Sequence, residues 1–310
     1  MRVFVTGGAG FIGSHVCERL LHSGAAVIAF DDFSSGHTRI DGVTTIEGDV
    51  RNFDDVLSAM SNCTHVVHLA ALASVPASFA DPSQSESVNL QGTLNVIEAA
   101  RQVGVKRIVF SSTAAIYGNA SDQPVTESTT ANCQSPYAED KLAAEVAILN
   151  SGIDVISLRY FNVHGPRQDP NGAYAAVIPA FIQTLMNHQS PTIFGTGEAT
   201  RDFVSVLDVA EINMLALQTD NESALGQVYN VASGSSMSVM ELFTTLRNLL
   251  ADKEPTIGSV EPTFASPREG DILHSSASIE KARAVLGFNP ETDPHQALKT
   301  TVEAYWAQRE

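Results

Sequence analysis

The chain has 310 residues, of which 44% are hydrophobic and 17% charged, as expected for a soluble globular protein of one large domain or two. Its formal net charge of −17 argues against nucleic acid or an anionic membrane as the main partner, because such a surface repels both. No apolar run approaches the roughly 18 residues of a membrane span, and glycines interrupt the N-terminus before a signal-peptide core could form.

The first half of the chain alternates short apolar runs with amphipathic segments. Helical spacing predicts helices at 12–23 and at 86–103, where Val88, Leu94 and Ile97 recur. The apolar runs predict strands at 2–6, 26–30, 44–48, 65–70, 107–112 and 154–160. Because strands that alternate with helices form right-handed crossovers, the sequence predicts an α/β fold with a Rossmann-type doubly wound parallel sheet.

The regular alternation fades after about residue 162, where loops rich in Gly and Pro separate isolated helices and short strands. We therefore expect a smaller, interleaved C-terminal domain that binds substrate. The segments "DFVSVLDVAE" and "VYNVAS" resemble returns to a sheet. The predicted first domain is 1–162 with returning segments near 200–235, and the second takes the remaining segments of 163–310.

A glycine-rich loop, "TGGAGFIGSH", follows the first strand and opens a helix. Gly7, Gly10 and Gly13 fit the spacing G-x-x-G-x-x-G, and Gly8 with the last two also fits G-x-G-x-x-G. Such a loop makes a tight turn, lets the backbone approach a pyrophosphate and aims a helix N-terminus at its charge. A glycine triplet alone could be a flexible turn, but the flanking strand and helix favour a dinucleotide site.

Acidic residues follow the second and third strands. Asp31 ends the second strand 18 residues after Gly13, where a carboxylate hydrogen-bonds a ribose 2′-OH and repels a 2′-phosphate. This favours NAD over NADP, although Asp31 could also be a turn aspartate. We interpret Asp32 as a loop partner, and Asp49 in "EGDV" is a candidate for the adenine edge.

The segment "SPYAEDK" places Tyr137 and Lys141 at i and i+4, on one face of a predicted helix. A phenol has an ordinary pKa near 10 and is a poor base at neutral pH. We expect the nearby ammonium, joined by the positive nicotinamide ring, to lower the pKa of Tyr137 and make it a proton acceptor. The alternative is an ordinary solvent-facing helix turn.

Over essentially its whole length the chain resembles the extended short-chain dehydrogenase/reductase family, in its nucleotide-sugar branch. The resemblance is carried by "TGGAGFIGSH", "HLAALASV", "VNLQGTLNVIEAA", "VFSSTAAIYG", "SPYAEDK", "LRYFNVHGPRQDP" and "SPREGD". It implies catalysis by Thr113, Tyr137 and Lys141. It also implies NAD contacts from Gly7, Gly10, Phe11, Ile12, Gly13, Asp31, Asp32, Ser34, Asp49, Val50, Leu69, Ala70, Ala71, Asn89, Ser111, Ser112, Tyr137, Lys141 and Phe161.

Within this family the chain is most similar to the UDP-hexose 4-epimerases. The likeness implies that Tyr137 takes the proton of the sugar 4-OH while a hydride leaves C4, and that the 4-keto sugar rotates and regains the hydride on its other face. Thr113 would hydrogen-bond the C4 oxygen, and Lys141 would hold the nicotinamide ribose. A serine is more usual than Thr113 in these enzymes, but threonine keeps the hydroxyl that the role needs.

The resemblance also implies a UDP-sugar site in the second half of the chain. Arg201 and Arg268 would bind the diphosphate, to which a guanidinium fork is suited, unless they are surface arginines. Arg167 is interpreted as a loop organiser. The remaining expected substrate contacts are Asn162 at the diphosphate, Ala176, Val177, Thr192 and Phe194 at the uridine, and Asp271 and Ser275.

The position that determines sugar size in the family falls at Ser275. Enzymes restricted to glucose and galactose carry a tyrosine there, whereas a serine leaves room for an N-acetyl group. Together with the string "GPRQDPNGAYAAVIP", this favours UDP-GlcNAc/UDP-GalNAc or dual specificity. The alternative is that Ser275 is merely small and has no effect on specificity.

Two other functions are possible on this scaffold, that of a nucleotide-sugar dehydratase or decarboxylase and that of a non-catalytic NAD-binding sensor. Dehydratases carry Asp-Glu directly after the catalytic hydroxyl residue and decarboxylases carry a Glu there, whereas this chain has Ala114 and Ala115. An inactive NAD-binding sensor is disfavoured because Thr113, Tyr137 and Lys141 occur together.

Further expectations concern metal, thiols and assembly. His65 and His68 would point to opposite faces of a strand, and the three cysteines have no ligand spacing, so we expect no metal, reduced thiols and a cytoplasmic setting. Family likeness implies a homodimer through helices 86–103 and 137–150. Leu142, Val146 and Leu149 would line that interface or pack in the core.

Overall fold

The computed structural model describes residues 1–170, 176–267, 273–290 and 293–309. The strands are Arg2–Thr6 (β1), Ala26–Asp31 (β2), Thr44–Glu47 (β3), His65–His68 (β4), Arg107–Thr113 (β5), Asp154–Tyr160 (β6), Asn162–His164 (β7), Thr192–Phe194 (β8), Thr200–Arg201 (β9), Phe203–Ser205 (β10), Gln227–Val231 (β11), Met237–Ser238 (β12), Thr263–Ala265 (β13) and His274–Ser275 (β14). The α-helices are Phe11–His22 (α1), Phe53–Ala59 (α2), Val75–Ala80 (α3), Pro82–Glu86 (α4), Gly92–Val103 (α5), Pro136–Leu149 (α6), Val177–Met186 (α7), Val206–Gln218 (α8), Val239–Ala251 (α9), Glu280–Leu286 (α10) and Pro294–Ala307 (α11).

A seven-stranded sheet in the order β11-β6-β5-β4-β1-β2-β3 forms the centre of the molecule, and each adjacent pair of its strands is parallel. The order reverses at β1, so that the carboxyl ends of β1 and β4 flank a crevice. This is the doubly wound sheet that the alternating pattern predicted, and the fold class is confirmed.

Each face of the sheet carries its own apolar core. Val16 and Leu20 of α1 pack in one core with Val209 and Ile212 of α8. Helices α2, α5 and α6 contribute to the core on the other face. Leu286 of α10 packs on the first face as well, so residues near 280–288 return to the main sheet in addition to the segments that we expected.

The two segments expected to return to a sheet take different places. "VYNVAS" supplies β11, which pairs with β6 at the edge of the main sheet. "DFVSVLDVAE" supplies β10, which pairs instead with β7 in a separate two-stranded sheet, and then α8. A third core, formed by α7, α9 and α11, belongs to the smaller C-terminal part.

The predicted helix 86–103 is interrupted. Ser87–Gln91 form a π-helical turn, and α5 starts only at Gly92. Such turns occur mostly as single bulges and often at functional sites. Val88 and Ile97 pack against the core, whereas Leu94 is 38% exposed and does not share their face. In the part of the chain that the structure describes, no helix is both long and apolar enough to cross a membrane.

Candidate active site

The glycine-rich loop between β1 and α1 is shaped by close backbone contacts. Gly7 has a φ of +67°, and a Cβ at this position would lie 2.8 Å from the amide nitrogen of Ala70. A Cβ at Gly13 would overlap the carbonyl oxygen of Gly7. At Gly10, by contrast, only the Gly7 oxygen lies within 4 Å, at 3.3 Å. The inner side of the loop therefore admits only glycine, while its outer side leaves the start of α1 open to a ligand.

Asp31, at the end of β2, is tied to this loop. Its carboxylate accepts the backbone N–H groups of Ala9 and Phe33, both at 2.9 Å. Burial raises the pKa of Asp31, against the effect of these hydrogen bonds. Asp32 accepts the backbone N–H and the hydroxyl of Ser34, which fits its interpretation as a loop partner. Asp31 is thus held beside the pyrophosphate loop, where a ribose contact is expected.

The expected adenine contact, Asp49, has a partner within the chain. Arg51 binds its carboxylate through both Nε and Nη2, with a shortest distance of 2.5 Å, and lowers the pKa of Asp49. Val50 is only 6% exposed and lies under Gly92, where a Cβ would be 2.8 Å from its methyl group. Contact of these residues with the cofactor stays a prediction.

A buried hydrogen-bond chain, which sequence reasoning missed, fixes the loop after β4. The backbone N–H groups of Leu69 and Ala70 donate to Thr6 Oγ1 at 3.1 Å each. His68 contacts Thr6 Oγ1 through Nδ1 at 2.7 Å and Thr93 Oγ1 through Nε2 at 3.0 Å. Because Thr93 donates its own proton to a backbone carbonyl, His68 must carry its proton on Nε2 and accept from Thr6. Burial lowers the pKa of His68 to about 3, so the ring is neutral.

Asn89, in the π-helical turn, extends this chain. Its side-chain oxygen accepts the backbone N–H of Leu72 at 2.8 Å, and its amide nitrogen donates to Ser85 Oγ at 3.2 Å. The residue is 1% exposed. Asn89 thereby holds the segment that includes Ala71, and its direct contact with NAD stays a prediction. The only sequence signal was that "HLAALASV" and "VNLQGTLNVIEAA" both belonged to the resemblance.

Helix α6 begins at a defined point. The hydroxyl of Ser135 accepts the backbone N–H of Ala138 at 3.2 Å, and Pro136 occupies the first helical position. Tyr137 therefore lies in the first turn of the helix, with Lys141 one turn further on. The cap sets the position of both side chains against the end of β5.

Two of the three predicted catalytic residues, Thr113 and Tyr137, meet at the carboxyl end of β5. The hydroxyl of Tyr137 hydrogen-bonds the side chain of Thr113, whose Oγ1 also accepts the backbone N–H of Ala115 at 3.1 Å. Lys141 is 2% exposed, and its Nζ lies 4.3 Å from the centre of the Phe110 ring, a cation–π arrangement. The threonine hydroxyl and the phenol thus lie together, whereas the Lys141 amino group lies over Phe110, whose side chain faces away from Thr113 along β5.

The electrostatics of Tyr137 and Lys141 are dominated by burial. Burial raises the pKa of Tyr137, and the hydrogen bond to Thr113 opposes it. Burial also lowers the pKa of Lys141 from 10.5 to about 7, in opposition to the charge of Glu145. The expected lowering of the phenol pKa by Lys141 and the nicotinamide ring together stays a prediction. Desolvation disfavours both charged forms, and the lysine is only partly charged near neutral pH.

The neighbouring hydroxyls of β5 have separate surroundings. The side chain of Ser111 hydrogen-bonds Tyr160. Ser112 is 2% exposed, and its Oγ has no hydrogen-bond partner among the residues that the structure describes. Because side chains alternate along a strand, Ser112 faces away from Ser111 and Thr113, so the two serines do not share one role.

Phe161, another expected NAD contact, is buried and packs on Tyr117 at a ring distance of 6.2 Å.

Three of the expected substrate contacts come together at the end of the sheet. Asn162 donates its side-chain N–H to the carbonyl oxygen of Asp202 at 2.9 Å. Arg201 and Ser275 are directly paired in the parallel ladder of β9 and β14. The Arg201 guanidinium donates to the carbonyl oxygen of Thr200 at 2.9 Å. The structure therefore places a diphosphate candidate beside the residue expected to set sugar size.

The other expected substrate residues are more scattered. Ala176 and Val177 start α7, and Thr192 and Phe194 lie on β8, which pairs with β13. Arg268 and Asp271 lie outside the described residues.

Arg167 contacts the first domain. Its guanidinium bonds Glu18 at 2.6 Å and the His15 ring, both on α1. These contacts fit the interpretation of Arg167 as a residue that organises its loop.

Residues 3–232 match the model of the NAD dependent epimerase/dehydratase family, and the chain belongs to this family. A curated UDP-glucose 4-epimerase from Mycolicibacterium smegmatis is 36% identical, with 98% of each chain covered. The UDP-glucose 4-epimerase of Thermotoga maritima, solved with UDP-glucose, has a TM-score of 0.93 at 35% identity over 100% of both chains. The UDP-N-acetylglucosamine 4-epimerase of Methanobrevibacter ruminantium, solved with UDP-N-acetylmuramic acid, has a TM-score of 0.91 at 36% identity, covering 99% of this chain and 98% of that one.

The family match confirms the predicted family and the NAD cofactor, and the cradle fits that cofactor. A Cβ at Gly10 would meet the Gly7 oxygen at 3.3 Å, and Asp31 is bonded to the loop at Ala9, where we expect its carboxylate to exclude a 2′-phosphate. Within the described ranges no cluster of three or more His, Cys, Asp or Glu side chains could hold a metal ion. Cys17, Cys63 and Cys133 are free thiols.

Proposed function

We propose that this protein catalyses the NAD-dependent C4 epimerisation of a UDP-hexose through a transient 4-keto sugar. The observation that carries the proposal is the contact of the Tyr137 phenol with Thr113 at the end of β5, with Lys141 buried one turn further along α6. Hydrogen transfer at a sugar carbon needs a group that moves the hydroxyl proton and a partner that accepts the hydride. The named relatives, all UDP-sugar 4-epimerases, support the same reaction.

NAD, when bound, supplies the hydride acceptor and later returns the hydride, so that it is regenerated in every turnover. Tyr137 takes the proton of the sugar 4-OH and returns it to the same oxygen after the keto sugar has turned, so that the hydride reaches the opposite face of C4. Thr113 hydrogen-bonds the C4 oxygen and orients the phenol, with which it is already in contact. Lys141 stabilises the phenolate and holds the nicotinamide ribose.

The burial of Tyr137 and Lys141 has a mechanistic consequence. Each of them is disfavoured as an isolated charge, since burial raises the pKa of the phenol and lowers that of the amine. A phenolate and an ammonium formed together would compensate each other in the low-dielectric site. Proton removal from the sugar is therefore favoured when Lys141 is protonated.

The alternative of a dehydratase or decarboxylase lacks an acid at the expected place. Ala114 and Ala115 start the 3₁₀ turn Ala114–Tyr117, directly after Thr113. A methyl side chain can neither donate nor accept a proton, so no group from these two positions assists loss of water or CO₂. Reversible hydride transfer is the chemistry that the remaining groups support.

We propose an N-acetylated or dual substrate range. Ser275 is half-buried, is paired with Arg201 and has a side chain much smaller than the tyrosine of the restricted enzymes. Solved relatives include one named for UDP-glucose and one named for UDP-N-acetylglucosamine, which supports testing both sugars.

We also propose a homodimer in which α5 and α6 form the interface. Val146 on α6 is 53% exposed and Leu94 on α5 is 38% exposed, which supports an apolar contact there. Leu142 and Leu149 pack inward against the core instead. A cytoplasmic setting stays a prediction.

The reaction is tested by incubating the purified protein with UDP-Glc, UDP-GlcNAc and UDP-GlcA separately and following the products by NMR. Interconversion of the C4 epimers is the expected result. Loss of water or CO₂ would favour the lyase, and absence of turnover in the NAD-loaded protein would favour a non-catalytic NAD-binding protein. The same samples, analysed by light scattering, test the dimer.

A further inference from the structure

A carboxylate outside the predicted site lies at the centre of the substrate-binding segments. Asp202 follows Arg201 and precedes β10, and it is fully buried, with 0% of its surface exposed. A buried carboxylate is costly unless hydrogen bonds or charges compensate it. Its role in the fold therefore depends on which groups bind it.

The side chain of Asp202 binds two separate loops. One oxygen, Oδ1, accepts the backbone N–H and the hydroxyl of Ser233, both at 2.7 Å. The other, Oδ2, accepts the backbone N–H of Gly234 at 3.2 Å, and the backbone N–H of Ala277 also bonds the carboxylate. All four donors are neutral, and three are backbone groups that cannot become acceptors. Burial raises the pKa of Asp202, and these hydrogen bonds oppose that rise because they favour the ionised carboxylate.

The backbone of the same residue binds two expected substrate contacts. Its carbonyl oxygen accepts the side-chain N–H of Asn162 at 2.9 Å and the backbone N–H at 3.2 Å. Its own N–H donates to the carbonyl oxygen of Ser275 at 2.9 Å. Arg201 is its direct neighbour in the chain. One buried residue therefore connects β7, β9, β14 and the 233–234 loop.

From these contacts we infer that Asp202 is a positioning residue for UDP-sugar binding. Its side chain fixes its backbone between two loops, and its backbone in turn sets the places of Asn162, Arg201 and Ser275. The inference rests on the proposed function for the identity of the ligand. It adds a residue that touches neither cofactor nor sugar and acts through its neighbours.

The direct test is Asp202→Asn, which keeps the shape but replaces one acceptor oxygen by a donor that would face N–H groups. Loss of a charge-assisted hydrogen bond is expected to weaken UDP binding by about tenfold or more. The probe is UDP alone, titrated by calorimetry into the NAD-loaded protein, with KM and kcat measured alongside. We expect a higher KM, a kcat within about twofold of wild type and unchanged NAD content.

Thr301→Val is the matched control. Thr301 is also 0% exposed, and its hydroxyl bonds His164 at the far end of β7 at 3.1 Å without bonding Asp202, Asn162 or Ser275. We expect this variant to lower the melting temperature without changing the affinity for UDP. Equal losses of UDP affinity, NAD content and kcat in Asp202→Asn would indicate general destabilisation and overturn the inference. So would an affinity for UDP within twofold of wild type.

If Asp202→Asn does not fold, Ser233→Ala is the variant that tests the inference. It removes one hydrogen-bond donor to Asp202 from a half-buried position and keeps the backbone N–H of residue 233. Weaker UDP binding at unchanged NAD content supports the inference, and unchanged UDP binding overturns it. A wild-type protein that binds UDP but does not epimerise any of the sugars refutes the proposed function and leaves this comparison intact. A wild-type protein that does not bind UDP refutes the inference itself.

Discussion

Glu145 on α6 and Arg159 on β6 form a buried ion pair, with 2.5 Å between Oε1 and Nη2. Their side chains are 2% and 9% exposed. Arg159 also donates to the hydroxyl of Tyr117 at 2.9 Å, and Ser157 donates to Glu145 at 2.9 Å. The pair thus connects the helix that carries Tyr137 and Lys141 to the central sheet and to the turn after Thr113.

Removing one member of this pair should lower the free energy of unfolding far more than removing both. Arg159→Met leaves Glu145 as an uncompensated buried charge, at an expected cost of about 3–5 kcal/mol in the free energy of unfolding. The double variant Glu145→Leu/Arg159→Met should recover most of that loss, because no buried charge remains unpaired. Urea unfolding of the two single variants and the double variant measures this coupling. Additive losses would show that the two residues do not depend on each other.

Tyr137→Phe tests the proposed proton acceptor. The substitution removes only the hydroxyl, so we expect turnover to fall by about 10²–10⁴-fold while NAD stays bound. Tyr229→Phe is the control, because its buried hydroxyl bonds the carbonyl oxygen of Ala224 and lies outside the site. Steady-state rates and the NAD content of both proteins are the measurements. A Tyr137→Phe enzyme of near wild-type activity would exclude the phenol as the base.

The burial of Lys141 predicts that the free energy of unfolding depends on pH. Its pKa is about 7 in the folded protein and 10.5 ordinarily, so between these values the unfolded chain binds more protons than the folded one. The free energy of unfolding should therefore rise with pH through this window, by at most about 1.4 kcal/mol per pH unit from this group. Lys141→Met should remove that contribution and should also be more stable at pH 7.

The measurement is denaturant unfolding of the NAD-free wild type and the Lys141→Met variant at pH 7, 8 and 9, compared as differences so that other titrating groups cancel. A difference that does not change with pH would mean that the burial of Lys141 carries no such cost. The variant should also lose catalysis, since the phenolate loses its counter-charge.

Ser275→Tyr tests the size of the sugar pocket. A tyrosine would occupy the space beside the C2 substituent, so activity on UDP-GlcNAc should fall by about tenfold or more relative to UDP-Glc. Ser275→Ala keeps the space and serves as the control, with both sugars affected equally. The ratio of kcat/KM for the two substrates is the readout. An unchanged ratio in Ser275→Tyr would mean that another position limits the sugar.

Features encoded by short stretches of chain were predictable from sequence. The glycine loop, the strands of the first half and the i, i+4 spacing of Tyr137 and Lys141 all follow from local pattern. The contacts between Thr6, His68 and Thr93 were not predictable, because the partners lie 62 and 25 residues apart. The burial that raises the pKa of Tyr137 was also not predictable, since it depends on tertiary packing rather than on a neighbour in the helix.

Two features of the fold were not predictable for a related reason, the interruption before α5 and the pairing of β10 with β7. Helical periodicity does not register the one extra residue of a π-helical turn, which changes the face that Leu94 presents. A short apolar strand carries no information about which strand it pairs with. The strand with which it pairs is determined by the tertiary packing of the whole fold, as in the pairing of β10 with β7.

The parallel pairing of Ser275 with Arg201 limits how this enzyme could evolve. A shift of β14 by one residue would turn Ser275 to the opposite face of its small sheet, away from the place proposed for the sugar. We expect insertions or deletions that move this register to alter diphosphate binding and sugar choice together. Substitution at Ser275 is therefore the change expected to alter the substrate range alone, whereas a change in the length of β14 should affect both functions.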